Sequence, residues 1–373
     1  MMDDLRWAML VMWLMACFSL QVRADTTDFE ADIGGYVVGG VDHYGAFHDE
    51  DGVDSTTNTV LRKFRLGLEL AYGKHWSFEL DGDYQYDGDE QVLEFDDVWL
   101  RYDGFGWGGV QVGRMKEPFG FERTSGYSSL MTNERSLATS AFAPGRSEGV
   151  MVNRAGKKAT WALGVFRESG DSQAPRAVTG RVTFAPLHTE HQTIHLGLAG
   201  SWRDMRGERF QIRDHGEVYS ADNVIRSPRF DADDLALLGG EFAWSRDSVT
   251  VTSEAMTQRV RQVGGDEWQF SGGYAQLGYL LTGEHRGYSR GEFDRIDPLS
   301  HLGAVELVAR WSGVDLRQRD VGAEASIAML GINYYWRKSV LLRVNYLIPT
   351  ISGNALMANP DGDAVTVRAQ LRF

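Results

Sequence analysis

Three stretches carry residue types that do chemistry in other contexts. Gly104-Phe-Gly-Trp-Gly-Gly109 satisfies G-x-G-x-x-G, the spacing that opens a helix onto a phosphate in nucleotide sites. Val110-Gln-Val-Gly113 follows it and continues as a strand, so the glycines read as a turn. His188, His191 and His195 lie close together. His188 has the opposite strand parity to the other two, and a surface turn accounts for them better than a metal centre. Asp49-Glu-Asp-Gly-Val-Asp54 and Asp87-Gly-Asp-Glu90 are rich in hard oxygen ligands. Neither has the D-x-D-x-D-G spacing with its later glutamate, so both read as solvated loops. The chain has no G-x-S-x-G, no H-E-x-x-H and no G-x-x-x-x-G-K-[ST], and nothing in it calls for a cofactor. The reading is of a protein that is not an enzyme.

The elements that would position these residues follow from composition and pattern. Acids outnumber bases 52 to 38 over 373 residues, for a charge of −14, which excludes a protein that coats nucleic acid. A mean hydropathy of −0.32 excludes a bundle of membrane helices, while 43% hydrophobic residues exclude a disordered chain. The apolar run from Trp7 to Phe18 is shorter than the roughly 20 residues a spanning helix needs. Val22 and Ala24 follow it at the −3 and −1 spacing of a signal-peptidase site. Residues 1–24 therefore read as a secretory signal and 25–373 as one domain. The rival reading is lipidation at Cys17 within Leu14-Met-Ala-Cys17. Cys17 is the only cysteine, so cleavage leaves no thiol chemistry in the exported chain.

From residue 33 onward the pattern is period two. Phe64, Leu66, Leu68, Leu70 and Tyr72 alternate with Lys63, Arg65, Gly67, Glu69 and Ala71, so one strand face is apolar and the other polar or small. The same holds around 76–83, 194–199, 340–346 and 365–373. These runs exceed the usual 5 or 6 residues of soluble strands, and aromatics mark their ends, as in Tyr72-Gly-Lys-His-Trp76 and Tyr334-Tyr-Trp336. Aromatic girdles at a lipid boundary have this form. We place strands at 33–47, 57–72, 75–86, 92–103, 109–116, 148–155, 159–168, 176–186, 192–203, 235–245, 248–260, 268–282, 302–313, 325–336, 339–349 and 364–373. Sixteen is the even count that returns both termini to one side. Turns after even strands are mostly short. Those after odd strands are longer and acidic: Phe47 to Thr56, Lys116 to Ser147, Asp204 to Asp234, and Ile351 to Asp363. The connection Gly283 to Ser300 breaks the rule, being long on the short-turn side. The expected fold is all-β, a transmembrane antiparallel barrel of about sixteen strands. Such a barrel leaves an aqueous channel inside.

A family resemblance adds to this. Gly113-Arg-Met-Lys-Glu-Pro-Phe-Gly-Phe-Glu122, Met131-Thr-Asn-Glu-Arg-Ser136 and Ala141-Phe-Ala-Pro-Gly-Arg146 resemble the fifth strand and third loop of the phosphate-selective porin O and P family. Tyr279 to Tyr288, Gly303 to Arg310, Gly331-Ile-Asn-Tyr-Tyr335, Asn345-Tyr346 and the terminal Phe373 resemble further blocks of it. The resemblance implies an outer-membrane homotrimer of a Gram-negative bacterium whose third loop folds into the lumen. It implies passage of small hydrophilic solutes or ions, with phosphate-like anions suggested by the family name. Outer-membrane lipid and lipopolysaccharide are the expected surroundings. The acidic chain departs from a basic, phosphate-passing pattern.

By parity, Lys63, Arg65 and Arg101 face inward, with Arg181, Arg203, Arg310, Arg343, Arg368 and Arg372. The inward acids are Glu69, Glu79, Asp81, Asp83, Asp97, Glu241, Glu254 and Glu306. The third loop adds Lys116, Glu117, Glu122, Arg123, Glu134, Arg135, Arg146 and Glu148. The expected constriction is this loop facing Lys63, Arg65 and Arg101, with a field between loop acids and wall bases. Two other classes fit less well: a barrel serving as adhesin or structural protein, and a soluble secreted β-sandwich. Purified mature protein, beginning at Asp25, is expected to insert into bilayers and to run as a trimer on a gel when unheated. Recovery of a water-soluble monomer without detergent would sink the membrane reading.

Overall fold

The computed structural model describes residues 29–373 apart from 51–54, 88–89, 169–173 and 354–361. The expected signal at residues 1–24 and parts of both acidic loops lie outside the described residues. Sixteen long strands form: β1 Phe29–Tyr44, β2 Thr56–Tyr72, β3 Trp76–Asp87, β4 Glu90–Phe105, β5 Gly108–Lys116, β6 Arg146–Ala155, β7 Ala159–Arg167, β8 Arg176–His188, β9 Gln192–Asp204, β10 Phe230–Arg246, β11 Val249–Gln262, β12 Glu267–Leu280, β13 Ala304–Asp315, β14 Ala323–Trp336, β15 Val340–Gly353 and β16 Ala364–Arg372. Each pairs antiparallel with its sequence neighbours. β1 also pairs with β16, from Tyr36 opposite Arg372 to Tyr44 opposite Ala364, so the sheet closes and has no free edge. Gly35 and Phe373 exchange backbone hydrogen bonds of 3.1 Å at the seam.

Alternation fixes what faces where. In β14 the odd positions Ala325, Ile327 and Met329 are buried, while Leu330 and Ile332 are 61% and 54% exposed. Across the barrel Val165, Val182, Leu198, Leu238 and Trp311 are exposed, and Arg181, Glu241, Glu254, Arg310, Glu306 and Arg343 are buried. Charges inside and large apolar side chains outside invert the soluble pattern, as a lipid-facing barrel requires.

Strand edges differ from the sequence reading for local reasons. β1 ends at Tyr44, three residues early, because Ala46–His48 turns as a short 3-10 helix. β15 runs on to Gly353 through Pro349. Pairing with β16 stops at Leu347 opposite Ala364, so Pro349, which lacks an amide hydrogen, leaves no ladder bond broken on that side.

Two β-bulges matter for the inner wall. Val38 faces Lys63 and Gly39 faces Leu61, so Arg62 is an extra residue on β2. Leu80 faces Val98 and Gly82 faces Phe95, so Asp96 and Asp97 together oppose Asp81. A bulge resets side-chain parity. Arg62 and Lys63 therefore both turn inward, and so do Asp96 and Asp97. Strict alternation assigned only Lys63 and Asp97 to the lumen.

Candidate functional site

Three connections bond to the wall strands and to one another. The first, residues 117–145, leaves the wall at Pro118 and carries two short helices, α1 Phe121–Thr124 and α2 Leu137–Phe142. Gly120 begins α1 at φ 74°, and a Cβ there would meet Glu254 Oε2 at 2.9 Å. Its bare backbone lets the Phe121 and Glu122 amides donate to the Glu254 carboxylate on β11 at 2.8 and 2.7 Å. α2 starts at Ser136, whose hydroxyl oxygen accepts from the Thr139 amide, the usual N-cap bond. Between them, Asn133 donates to Asn345 on β15 and Thr366 on β16. Arg343 donates to the Leu130 carbonyl at 2.6 Å, and Asn333 on β14 to that of Met131. A connection rooted between β5 and β6 thus bonds to wall strands far around the barrel. Phe119, Leu137 and Phe142 join wall residues Leu237, Met256 and Ile327 in one apolar cluster.

The second connection, 205–229, supplies Glu217 and Tyr219. The third is the long one on the short-turn side, 281–303. Its Arg286 donates to Glu306 at 2.6 Å and to the Ser129 carbonyl at 3.3 Å. Tyr288 bonds His195 at 2.7 Å, and Phe293 meets Phe121 edge-on at 5.5 Å. The histidine expected in a surface turn is thus buried, joined to Tyr288 and to Glu241 at 3.1 Å.

The acids of the first connection are all held in pairs. Glu117 accepts from Arg203 on β9 at 2.9 Å and from Thr179 and Ser147. Glu122 lies 3.3 Å from Arg310 on β13 and caps Ser136. Glu134 takes both arms of Arg62 at 2.7 and 2.9 Å, while that guanidinium lies 4.2 Å from the Tyr219 ring. Arg310 also pairs with Glu217, which accepts from Ser312 as well.

Its bases are placed differently. Lys116 donates to the carbonyls of Thr124 and Ser125 at 2.9 and 3.3 Å. Arg135 donates to the same Ser125 oxygen at 3.2 Å and to Glu122 O at 3.1 Å. Two basic side chains therefore stand side by side on one carbonyl. Arg123 donates to Ala143 O at 2.7 Å. Burial, with Arg135 and Arg146 next to it, pushes the Arg123 guanidinium below its ordinary range, and burial does the same to Arg135. A group pushed this way gains when an anion approaches.

The wall beside them is mixed. Lys63 pairs with Asp83 and, at 3.3 Å, with Asp96. Arg65 pairs with Asp81 and, at 3.1 Å, with Asp97. Arg146 reaches Asp97 at 2.8 Å. Loop acids thus meet wall arginines at Arg203, Arg310 and Arg62, while carboxylates of β3 and β4 surround Lys63 and Arg65. Arg101 does not join them. It pairs with Asp103 at 2.6 Å near the short-turn end of β4. Glu148 is not in the connection either but on the outer face of β6, 3.0 Å from Arg167. A cavity of about 630 Å³ lies against this wall, lined by Arg65, Lys116, Tyr36, Trp99 and Arg372 together with Asp32, Glu69, Glu79 and Asp81. Asp32, Glu69 and Glu79 face one another across β1, β2 and β3, so the wall is acidic towards its short-turn end. Glu79, Asp81 and Asp97 have carboxylate oxygens within 4.8 Å of one another, and Arg65 bonds into that group.

A closed sixteen-stranded barrel, apolar outside and charged inside, defines an outer-membrane porin. The phosphate-selective porin O and P model matches residues 38–373, and the chain belongs to that family. It is 24% identical over 400 residues to Porin O of Pseudomonas aeruginosa, covering 95% of this chain and 91% of that one. Among solved structures, an anion-selective porin from Comamonas acidovorans superposes with a TM-score of 0.62 at 14% identity, covering 93% of this chain and all of that one. The trimer form of OmpT from Vibrio cholerae gives 0.61 at 9% identity, over 93% and 100%. Family and barrel together place the protein in the outer membrane as a channel.

Arg310→Met leaves Glu122 and Glu217 buried without their guanidinium, a change of about 3–5 kcal/mol. The expected outcome is a lower temperature for the gel-mobility transition and noisier single-channel current. Adding Glu122→Gln and Glu217→Gln is expected to restore both. An Arg310→Met channel as quiet and heat-resistant as the parent would contradict the anchoring role.

Proposed function

We propose that the protein is a trimeric channel through which small hydrophilic anions, phosphate among them, diffuse passively, and that the first connection crosses the lumen to form its constriction. The reading rests on one observation: Lys116 and Arg135 share the Ser125 carbonyl, with Arg123 and Arg146 beside them, while the acids of the same connection are already paired. A permeating anion meets this cluster in a narrow, partly desolvated passage. At an effective dielectric near 20 a unit charge at 4 Å is worth roughly 4 kcal/mol. The acidic outer connections are wet, and salt screens them within about 8 Å. The similarity to the anion-selective Comamonas porin and to the trimeric Vibrio OmpT supports anion passage and the trimer, and the family name supports phosphate. Residues 1–24 are proposed to direct export and to be removed.

The zero-current potential in a KCl gradient tests the selectivity. Wild type is expected to prefer chloride, and Lys116→Gln/Arg135→Gln to lose that preference severalfold. A wild type that prefers potassium, with no further shift in the double variant, overturns the basic-cluster reading. Removing Ser125 to Thr139 is expected to raise single-channel conductance. Unchanged conductance would refute the crossing connection.

A further inference from the structure

On the lipid-facing side of β5 to β8 two rows run straight across four strands. Val112 faces Val150, Val150 faces Val165, and Val165 faces Val178. Two residues further towards the long-connection end, Arg114 faces Glu148, Glu148 faces Arg167, and Arg167 faces Arg176. The rows are roughly 7 Å apart along the strands. Between them lies an open groove of about 710 Å³, floored at Gly113 and Gly149. The valines are exposed, Val165 at 57%. The Glu148–Arg167 pair is also half-exposed. On this stretch three arginines face one glutamate, and the basic run ends where Asp204 faces Arg176.

We propose that this face binds a phosphorylated, multiply acylated glycolipid of the outer leaflet, the lipid A part of lipopolysaccharide. Its phosphates would sit on the arginine row and its acyl chains in the valine groove. The arginines lie at the ends of strands that lead into long connections, which is the outer side of the membrane by the asymmetry of the turns. Guanidinium groups match phosphate oxygens with two parallel hydrogen bonds. Headgroup charge and hydrocarbon are then met in the order in which a lipid presents them. A protein partner would have to bury three arginines against one glutamate, which is costly without matched acids.

Native mass spectrometry of the detergent-purified protein tests this with hexa-acyl lipid A in diphosphorylated and dephosphorylated forms. The diphosphorylated lipid is expected to bind at least tenfold more tightly. Arg167→Gln/Arg176→Gln is expected to abolish that difference, and Val150→Trp to weaken both lipids by filling the groove, with single-channel conductance unchanged in each. Equal affinity of the wild type for the two lipids overturns the proposal, even if no variant folds. Unchanged lipid binding in the arginine variants also overturns it. If those variants instead lose the unheated oligomer while keeping lipid affinity, the face is a contact between copies.

Discussion

Arg310 donates to Thr132 and to the Glu134 carbonyl at 2.7 and 3.1 Å, and it pairs with Glu122 and Glu217. One guanidinium on β13 therefore holds two separate connections. Arg203 does the same at the root of the first connection through Glu117, and Arg62 at its middle through Glu134. Taking ions out of water costs several kcal/mol each. Such pairs persist only where geometry is bidentate and leftover lone pairs find donors, as Thr179 and Ser147 provide for Glu117. The connection's acids are used this way, whereas its cations Arg123 and Arg135 bond to main-chain carbonyls.

This division could not be read from charge counts. The chain is acidic at −14, and parity counting gave an inner wall near neutrality. The sign of a pore depends on which charges are already paired, and pairing is a property of distance. Glu117, Glu122 and Glu134 look equivalent to Lys116, Arg123 and Arg135 in sequence. They differ because the wall offers arginines within reach of the acids, whereas the bases bond to main-chain carbonyls.

The barrel itself was legible. A strand with a lipid face and a water face must alternate, and sixteen such runs of 9 to 17 residues leave little room for another fold. The exceptional connection at Gly283 to Ser300 was also visible as an exception. What it does was not, since Arg286 and Phe293 find partners on the first connection, distant in sequence. Two inward residues were missed for a simpler reason. A β-bulge inserts one residue and flips parity beyond it, so strict alternation leaves Arg62 and Asp96 out of the inward set. Gly39, just beyond the slip in β1, and the Asp96-Asp97 doublet were the only local hints, and neither distinguishes a bulge from a continuous strand.

The two bulges lie beside the cavity. From β8 to β16 the wall is tied to itself by the Arg181–Glu241 pair, to β1 by Arg368–Asp42, and to the third connection by Arg286–Glu306. The cavity lies against β1 to β7 and the end of β16, and the bulges crowd Arg62, Lys63, Asp96 and Asp97 onto neighbouring strands. Like charges and unlike charges alternate there at close range, so no single pair satisfies all of them. Arg65 illustrates this, lying within 4 Å of Asp81, Asp96, Asp97 and Glu79. A side chain with four competing partners can exchange one for a passing ion without leaving a buried charge alone. A side chain with one bidentate partner, such as Arg181, cannot. The same chemistry therefore gives single bidentate pairs on one side of the barrel and shared partners on the other, and the difference lies in how many partners each guanidinium has.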